Sequence, residues 1–162
     1  MKIVSVELYH VRIKLKKPFV TSIVAKEYSN SVFVKIKTDS ELVGLGECCP
    51  TAYINGETYE TCFVIGRMIA KRLIGQNPLD IAANFNLMSE VIYGNSSIKC
   101  GFDIALYDLA AKEKGCPLYE YLGGSINKRI FTDYTVSIGS ISEMLEDALM
   151  VITKEISQNK KR

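Results

Sequence analysis

Tryptophan is absent from this chain and histidine occurs once, as His10. A single imidazole removes the raw material for His-ligated metals and for Ser-His or Cys-His nucleophile pairs, so any acid-base chemistry must come from carboxylates or lysines. The five cysteines contain no CxxC pair and are odd in number, which excludes a disulfide framework and a zinc knuckle and leaves buried thiols as the expectation. No charge of one sign dominates: 20 basic and 18 acidic residues give a net charge of +2, and no global field draws in nucleic acid or a membrane surface. Apolar runs stay far below the roughly 20 residues of a membrane helix. MKIVSVELYH alternates like a strand and carries no signal-peptide core, so a cytoplasmic protein is expected.

What remains is a chain of 162 residues, 48% hydrophobic, with ample material for a core. Residues 3–15 read as one long strand with a phase slip at His10 that predicts a bend or bulge. Pro18 and its small or polar neighbours predict a long loop over 16–30. SVFVKIKT (31–38) places Val32, Val34 and Ile36 on one face, and after the Asp39-Ser40 turn ELVGLGE forms a third strand whose Gly44 and Gly46 allow close backbone approach. A second loop, CCPTAYINGET, precedes three helices. The first (57–73) carries Glu57 and Glu60 early, a stripe of Cys62, Ile65, Met68, Ile69 and Leu73, and Gly75 beyond. The second opens on Asn77 and Pro78, with Ile81, Phe85, Met88 and Ile92 before Gly94. The third (97–114) aligns Ile98, Phe102, Ala105 and Leu109, then stops at Gly115 and Pro117. A strand over about 131–138 and a helix opened by Ser140-x-x-Glu143 follow.

Taken alone, these residues name no site. Asp103 and Asp108 lie five apart on one helix, about 140° around its axis from each other, a poor carboxylate pair. Glu47 ends a strand, and the glycines of GLGE and LGG do not make a dinucleotide fingerprint. The two long loops are the features most suited to binding or covering something.

Four stretches in order, KKPFVTS, VGLGECCPTAYINGET, ALYDLAAKEKGCPLYEYLGG and TDYTVSI, resemble the N-terminal part of the mandelate racemase and muconate-lactonizing branch of the enolase superfamily. PFVTS, PTAYINGET and TDYTVS look most like its dipeptide epimerases. The resemblance implies an α+β fold: an enolase-like capping domain over residues 1–125, a three-stranded antiparallel meander followed by three helices. Residues 126–162 would then be the first strand and helix of a truncated TIM barrel, ending in a basic tail. A barrel takes eight such units and about 250 residues.

In such enzymes Mg2+, held by acidic residues on later barrel strands, stabilises the enediolate formed when a lysine removes the proton alpha to a carboxylate. The resemblance therefore implies a Mg2+-dependent racemase or epimerase whose metal ligands lie beyond residue 162, with no metal expected in this chain and no activity expected of it alone. Lys160 is the candidate catalytic lysine by its nearness to the family's KxK position, against a basic tail, since EISQNKKR lacks strand alternation. The loops bearing Phe19 and Thr21 and bearing Tyr53 and Ile54, with Thr135 on the first barrel strand, are implied substrate contacts. Acid-preferring dipeptide epimerases often carry a basic residue shortly after the TS of the first loop, whereas here Val24 is apolar and Lys26 lies two residues further on, which puts a preference for acidic dipeptides in doubt.

The expected partner is a small-molecule substrate, a dipeptide or related carboxylate. A muconate cycloisomerase or N-acylamino acid racemase is the alternative within the family, and an interaction module without catalysis the alternative outside it. The last helix lines up Met144, Leu145, Ala148, Leu149 and Ile152, an apolar stripe that predicts self-association into a homo-oligomer.

Overall fold

The computed structural model describes residues 1–126 and 133–159, with side chains through 153. Three strands form one sheet in the order β1-β2-β3, with β1 spanning Ile3–Val20, β2 Ala25–Thr38 and β3 Val43–Cys48. The anticipated loop over 16–30 is instead a hairpin. β1 continues through Pro18 to Val20, and a short turn closed by the Thr21 N–H donating to the Val24 carbonyl (2.9 Å) returns the chain into β2. Among the described strands β1 lies at the sheet edge, where a proline need not break a ladder bond.

β2 and β3 pair antiparallel with Val32 opposite Cys48, Val34 opposite Gly46 and Ile36 opposite Gly44. Val32, Val34 and Ile36 are fully buried, as their alternation predicts. The glycines opposite them leave room for a helix backbone. A Cβ on Gly46 would stand 1.9 Å from the Gly101 carbonyl oxygen, and one on Gly44 2.2 Å from that of Ala105.

The six helices among the described residues are α1 (Ala52–Asn55), α2 (Tyr59–Leu73), α3 (Ile81–Val91), α4 (Ser96–Glu113), α5 (Leu118–Tyr121) and α6 (Ile141–Asn159). α4 is the helix seated on the glycine face of β3, and Ile98, Phe102, Ala105, Leu106 and Leu109 point from it into the core. α2 adds Cys62, Ile65, Ile69 and Leu73.

Several boundaries differ from the sequence reading. α2 begins after a Thr58 and Thr61 capping box, so Glu57 precedes it, and Met68 on the expected stripe is exposed. α3 is capped by Asp80, which accepts from the Ala83 N–H, while Asn77 and Pro78 belong to the preceding turn, and Phe85 faces outward. Residues 133–138 are in no ladder, for want of a neighbouring strand among the described residues, and 131–132 lie outside them. The Ser140 and Glu143 box forms as read: the Ser140 N–H donates to Glu143 Oε2 (2.8 Å) and the Glu143 N–H to Ser140 Oγ (3.3 Å). Cys48 and Cys62 are buried thiols, whereas Cys49 and Cys100 are exposed.

The chain divides into two compact units, Met1–Arg12 with Asn30–Lys128 and Ile13–Ser29 with Arg129–Arg162. The sheet core and α1 to α5 belong to the first. In the second, the outer part of the β1-β2 hairpin meets α6 through a Lys17–Asp147 ion pair, and the Ile138 N–H donates to the Val20 carbonyl (3.0 Å). Ile141, Leu145, Leu149 and Ile152 of α6 are all more than half exposed.

Candidate functional site

Tyr53 and Ile54 sit on α1, a single turn with no buried residue, and are 44% and 78% exposed. So short a helix cannot hold itself, because nucleation costs more than one turn returns. Side chains at its C-terminal end supply the hold. Asn55 Oδ1 accepts from the N–H groups of Thr51 (3.3 Å) and Glu57 (3.1 Å), its Nδ2 donates to Ser97 Oγ (2.6 Å), and Gly56 turns the chain at φ 73°. Glu57 is 4% exposed. Its Oε1 accepts from the Ser97 N–H (2.9 Å) and Ser96 Oγ (3.4 Å), and its Oε2 from the Ile98 N–H (3.4 Å). The Cys62 thiol lies 3.7 Å from the same carboxylate. Contact with Cys48, burial and the Glu57 charge push that thiol well above the usual range.

Sequence reasoning took Glu57 as a first-turn carboxylate of α2 and gave Asn55 no role. The Asn55-Gly56 pair is the local signal for the turn, but nothing local points forty residues on to α4.

In the second unit Phe19 is half-buried near the end of β1. The Thr21 hydroxyl closes its own turn, accepting from the N–H groups of Ile23 (3.3 Å) and Val24 (3.2 Å) and lying 3.3 Å from the Val24 carbonyl. Thr135 is exposed in the segment before α6. A cleft of about 360 Å3 is lined by Lys17, Val20, Ser137, Glu143, Glu146 and Asp147 among others, and Phe19, Thr21 and Thr135 are not part of its wall. Lys160 lies outside the described residues.

Asp103 and Asp108 are no pair, as their spacing predicts. Burial raises the Asp103 carboxyl above its usual range, and Asp108 instead accepts from the Leu45 N–H (2.8 Å) and Lys112 Nζ (2.6 Å). Among the described residues no three of His, Cys, Asp or Glu come together as metal ligands, so they do not fit a Mg2+ centre and no metal-dependent step is assigned to them. No helix among them is long and apolar enough to cross a membrane.

Residues 3–123 match the family described as mandelate racemase/muconate lactonizing enzyme, N-terminal domain. The chain is 50% identical over 151 residues to a D-Ala-D/L-Ala epimerase from Cytophaga hutchinsonii, covering 93% of this chain and 41% of that protein. It is 33% identical over 155 residues to an N-succinyl-L-Arg/Lys racemase from Bacillus cereus, covering 95% and 42%. Among solved structures, the dipeptide epimerase from Cytophaga hutchinsonii complexed with Mg and the dipeptide D-Ala-L-Val superposes with a TM-score of 0.90 at 49% identity, over 94% of this chain and 42% of that one. The chain thus spans about two fifths of the length of these relatives. With a three-stranded antiparallel sheet followed by helices that match the capping domain of the relatives, it belongs to the mandelate racemase/muconate lactonizing enzyme family, of whose members it corresponds to the N-terminal part.

Proposed function

We propose that residues 1–125 are the substrate-selecting capping domain of a Mg2+-dependent dipeptide epimerase, and that residues 126–162 open its barrel. The observation that carries this reading is the 50% identity to a D-Ala-D/L-Ala epimerase sustained over 93% of the chain. In this reading the cap excludes water and selects the side chain of the substrate, while the barrel removes the alpha proton. Ile54, 78% exposed on α1, offers an apolar contact, as does Phe19, with Tyr53 and Thr135 as polar contacts. The Thr21 hydroxyl, engaged within its turn, serves by shaping that turn. The set is apolar where it meets side chains, so the substrate class is a small or hydrophobic dipeptide. Mg2+ and Lys160 chemistry belong to the complete enzyme.

The test is solvent deuterium exchange at the alpha carbon across a dipeptide library, with a polypeptide that joins these residues to a complete barrel. Exchange with small or hydrophobic dipeptides and little with acidic ones is the expected result. The 33% identity to an N-succinyl-L-Arg/Lys racemase favours a second reading, racemisation of N-acylated amino acids. Exchange of N-succinyl amino acids in preference to dipeptides would select it.

A further inference from the structure

We propose that Asn55 and Glu57 are positioning residues that fasten the turn carrying Tyr53 and Ile54 to the first turn of α4. This rests on the reading of Ile54 as a substrate contact and extends it to residues that touch no substrate.

The first turn of α4 needs partners for its N–H groups, since a helix start leaves them without intrahelical acceptors. Its own N-cap, Asn95, gives these N–H groups no side-chain acceptor, its Nδ2 donating instead to the Tyr93 carbonyl (2.9 Å), and it sits at φ 54°. Glu57 supplies the acceptors from another segment, taking the Ser97 and Ile98 N–H groups with its carboxylate against the positive end of the helix. Capping alone would make Glu57 a stability device. Asn55 adds something capping does not require: its Nδ2 donates to Ser97 Oγ at 2.6 Å, which satisfies no backbone group of α4, while its Oδ1 gathers the N–H groups at both ends of α1. Asn55 is exposed, so the link adds little buried surface. Its effect is to tie a turn with no buried residue to a helix with nine. Tyr53 and Ile54 thereby share the rigidity of the sheet core although neither packs in it, which is how a loop contact keeps its geometry without losing exposure.

The experiment is amide hydrogen exchange on the 162-residue chain. Asn55→Ala is expected to raise exchange over residues 51–57 roughly tenfold or more, since it removes the Ser97 link together with both Oδ1 bonds, with the amides of β2 and α2 and the thermal midpoint unchanged. Ser97→Ala removes only the Nδ2 link and leaves both Oδ1 bonds, so it should raise exchange over the same residues by less than Asn55→Ala, and the double variant should be no worse than Asn55→Ala alone. Glu57→Gln should also speed exchange at residues 97 and 98. Unchanged exchange over 51–57 in Asn55→Ala, or a uniform rise across the chain, overturns the clamp. In a polypeptide with a complete barrel, Asn55→Ala should raise KM several-fold with kcat little changed. Faster exchange with an unmoved KM would overturn the substrate-contact reading of Ile54, and the positioning role with it.

Discussion

The Leu45 N–H donates to Asp108 Oδ2 at 2.8 Å, and one helical turn further along α4 Lys112 Nζ donates to the Val43 carbonyl at 2.8 Å. Two side chains of α4, themselves paired at 2.6 Å, thus answer the polar groups of β3 that face away from β2. A sheet edge left bare invites pairing with another chain. Asp108→Ala should cost about 0.5 to 1.5 kcal/mol, the net worth of a hydrogen bond whose donor water can reach once the carboxylate is gone, and should speed exchange at the Leu45 amide beyond the global change. Urea unfolding with site-resolved exchange measures both.

Gly46→Ala should fail to fold or lose about 3 kcal/mol or more. The added methyl would stand 1.9 Å from a backbone oxygen of α4, and neither element can yield without moving the core. Gly56→Ala has open space at its Cβ and only a positive φ to accommodate, so it should cost about 1 kcal/mol. Circular dichroism and thermal unfolding of the two variants give the comparison.

Acid stability should depend on Glu7. Hydrogen bonds from Lys37 and Tyr9 hold its carboxyl at about 2, against an ordinary 4.5. The fold therefore favours the ionised form. The contribution is complete above pH 4.5 and fades as pH falls toward 2. Glu7→Gln should lower the unfolding midpoint slightly near neutrality, and its gap from the parent should close over that window. Because the pair is exposed, high salt should shrink the gap at every pH.

Ile54→Ala in a polypeptide with a complete barrel should reorder dipeptides, shifting relative kcat/KM by about 10- to 200-fold, and leave alpha-proton chemistry intact. Thr135→Ala should lower kcat/KM for all of them alike, as expected of a hydroxyl that positions the backbone common to every dipeptide. A dipeptide panel assayed against both variants decides the matter. Uniform loss for Ile54→Ala, or a new ranking for Thr135→Ala, would reverse the two roles.

Self-association should follow the outer face of α6. Ile141 is 87% exposed, and Leu145, Leu149 and Ile152 range from 52% to 58%, a larger run of apolar side chains than water ordinarily faces. Sedimentation at micromolar concentration should detect oligomers of the 162-residue chain. Leu145→Glu combined with Leu149→Glu should return it to monomer.

Periodicity carried the core. Val32, Val34 and Ile36 on β2, and Ile98, Phe102, Ala105 and Leu109 on α4, are buried because a period of two or of 3.6 leaves them only one apolar face to share. Gly44 and Gly46 were legible for a similar reason: two missing side chains on one strand face mark where another backbone must come close. The misreadings have a common origin in partners distant along the chain. Pro18 reads as a breaker until β1 is known to be an edge, and Glu57 reads as part of the helix it precedes until α4 arrives beside it. The strand expected over 131–138 depends on ladder neighbours, and among the described residues 133–138 have none. Asp80 rather than Asn77 caps α3 because both side chains suit the role and only the turn between them decides.

The sole histidine lies flat on Tyr59, ring centroids 4.0 Å apart and planes within 4°, with its Nε2 3.0 Å from Asn30 Oδ1. β1, β2 and the first turn of α2 all converge on that one imidazole. Its ring protons sit in the shielding zone of the phenol, so they should resonate upfield of a free imidazole's, and with one histidine in the chain no other imidazole overlaps them. In a chain without tryptophan, where fluorescence is a weak witness to folding, this stack is a built-in spectroscopic reporter of whether sheet and helix have come together.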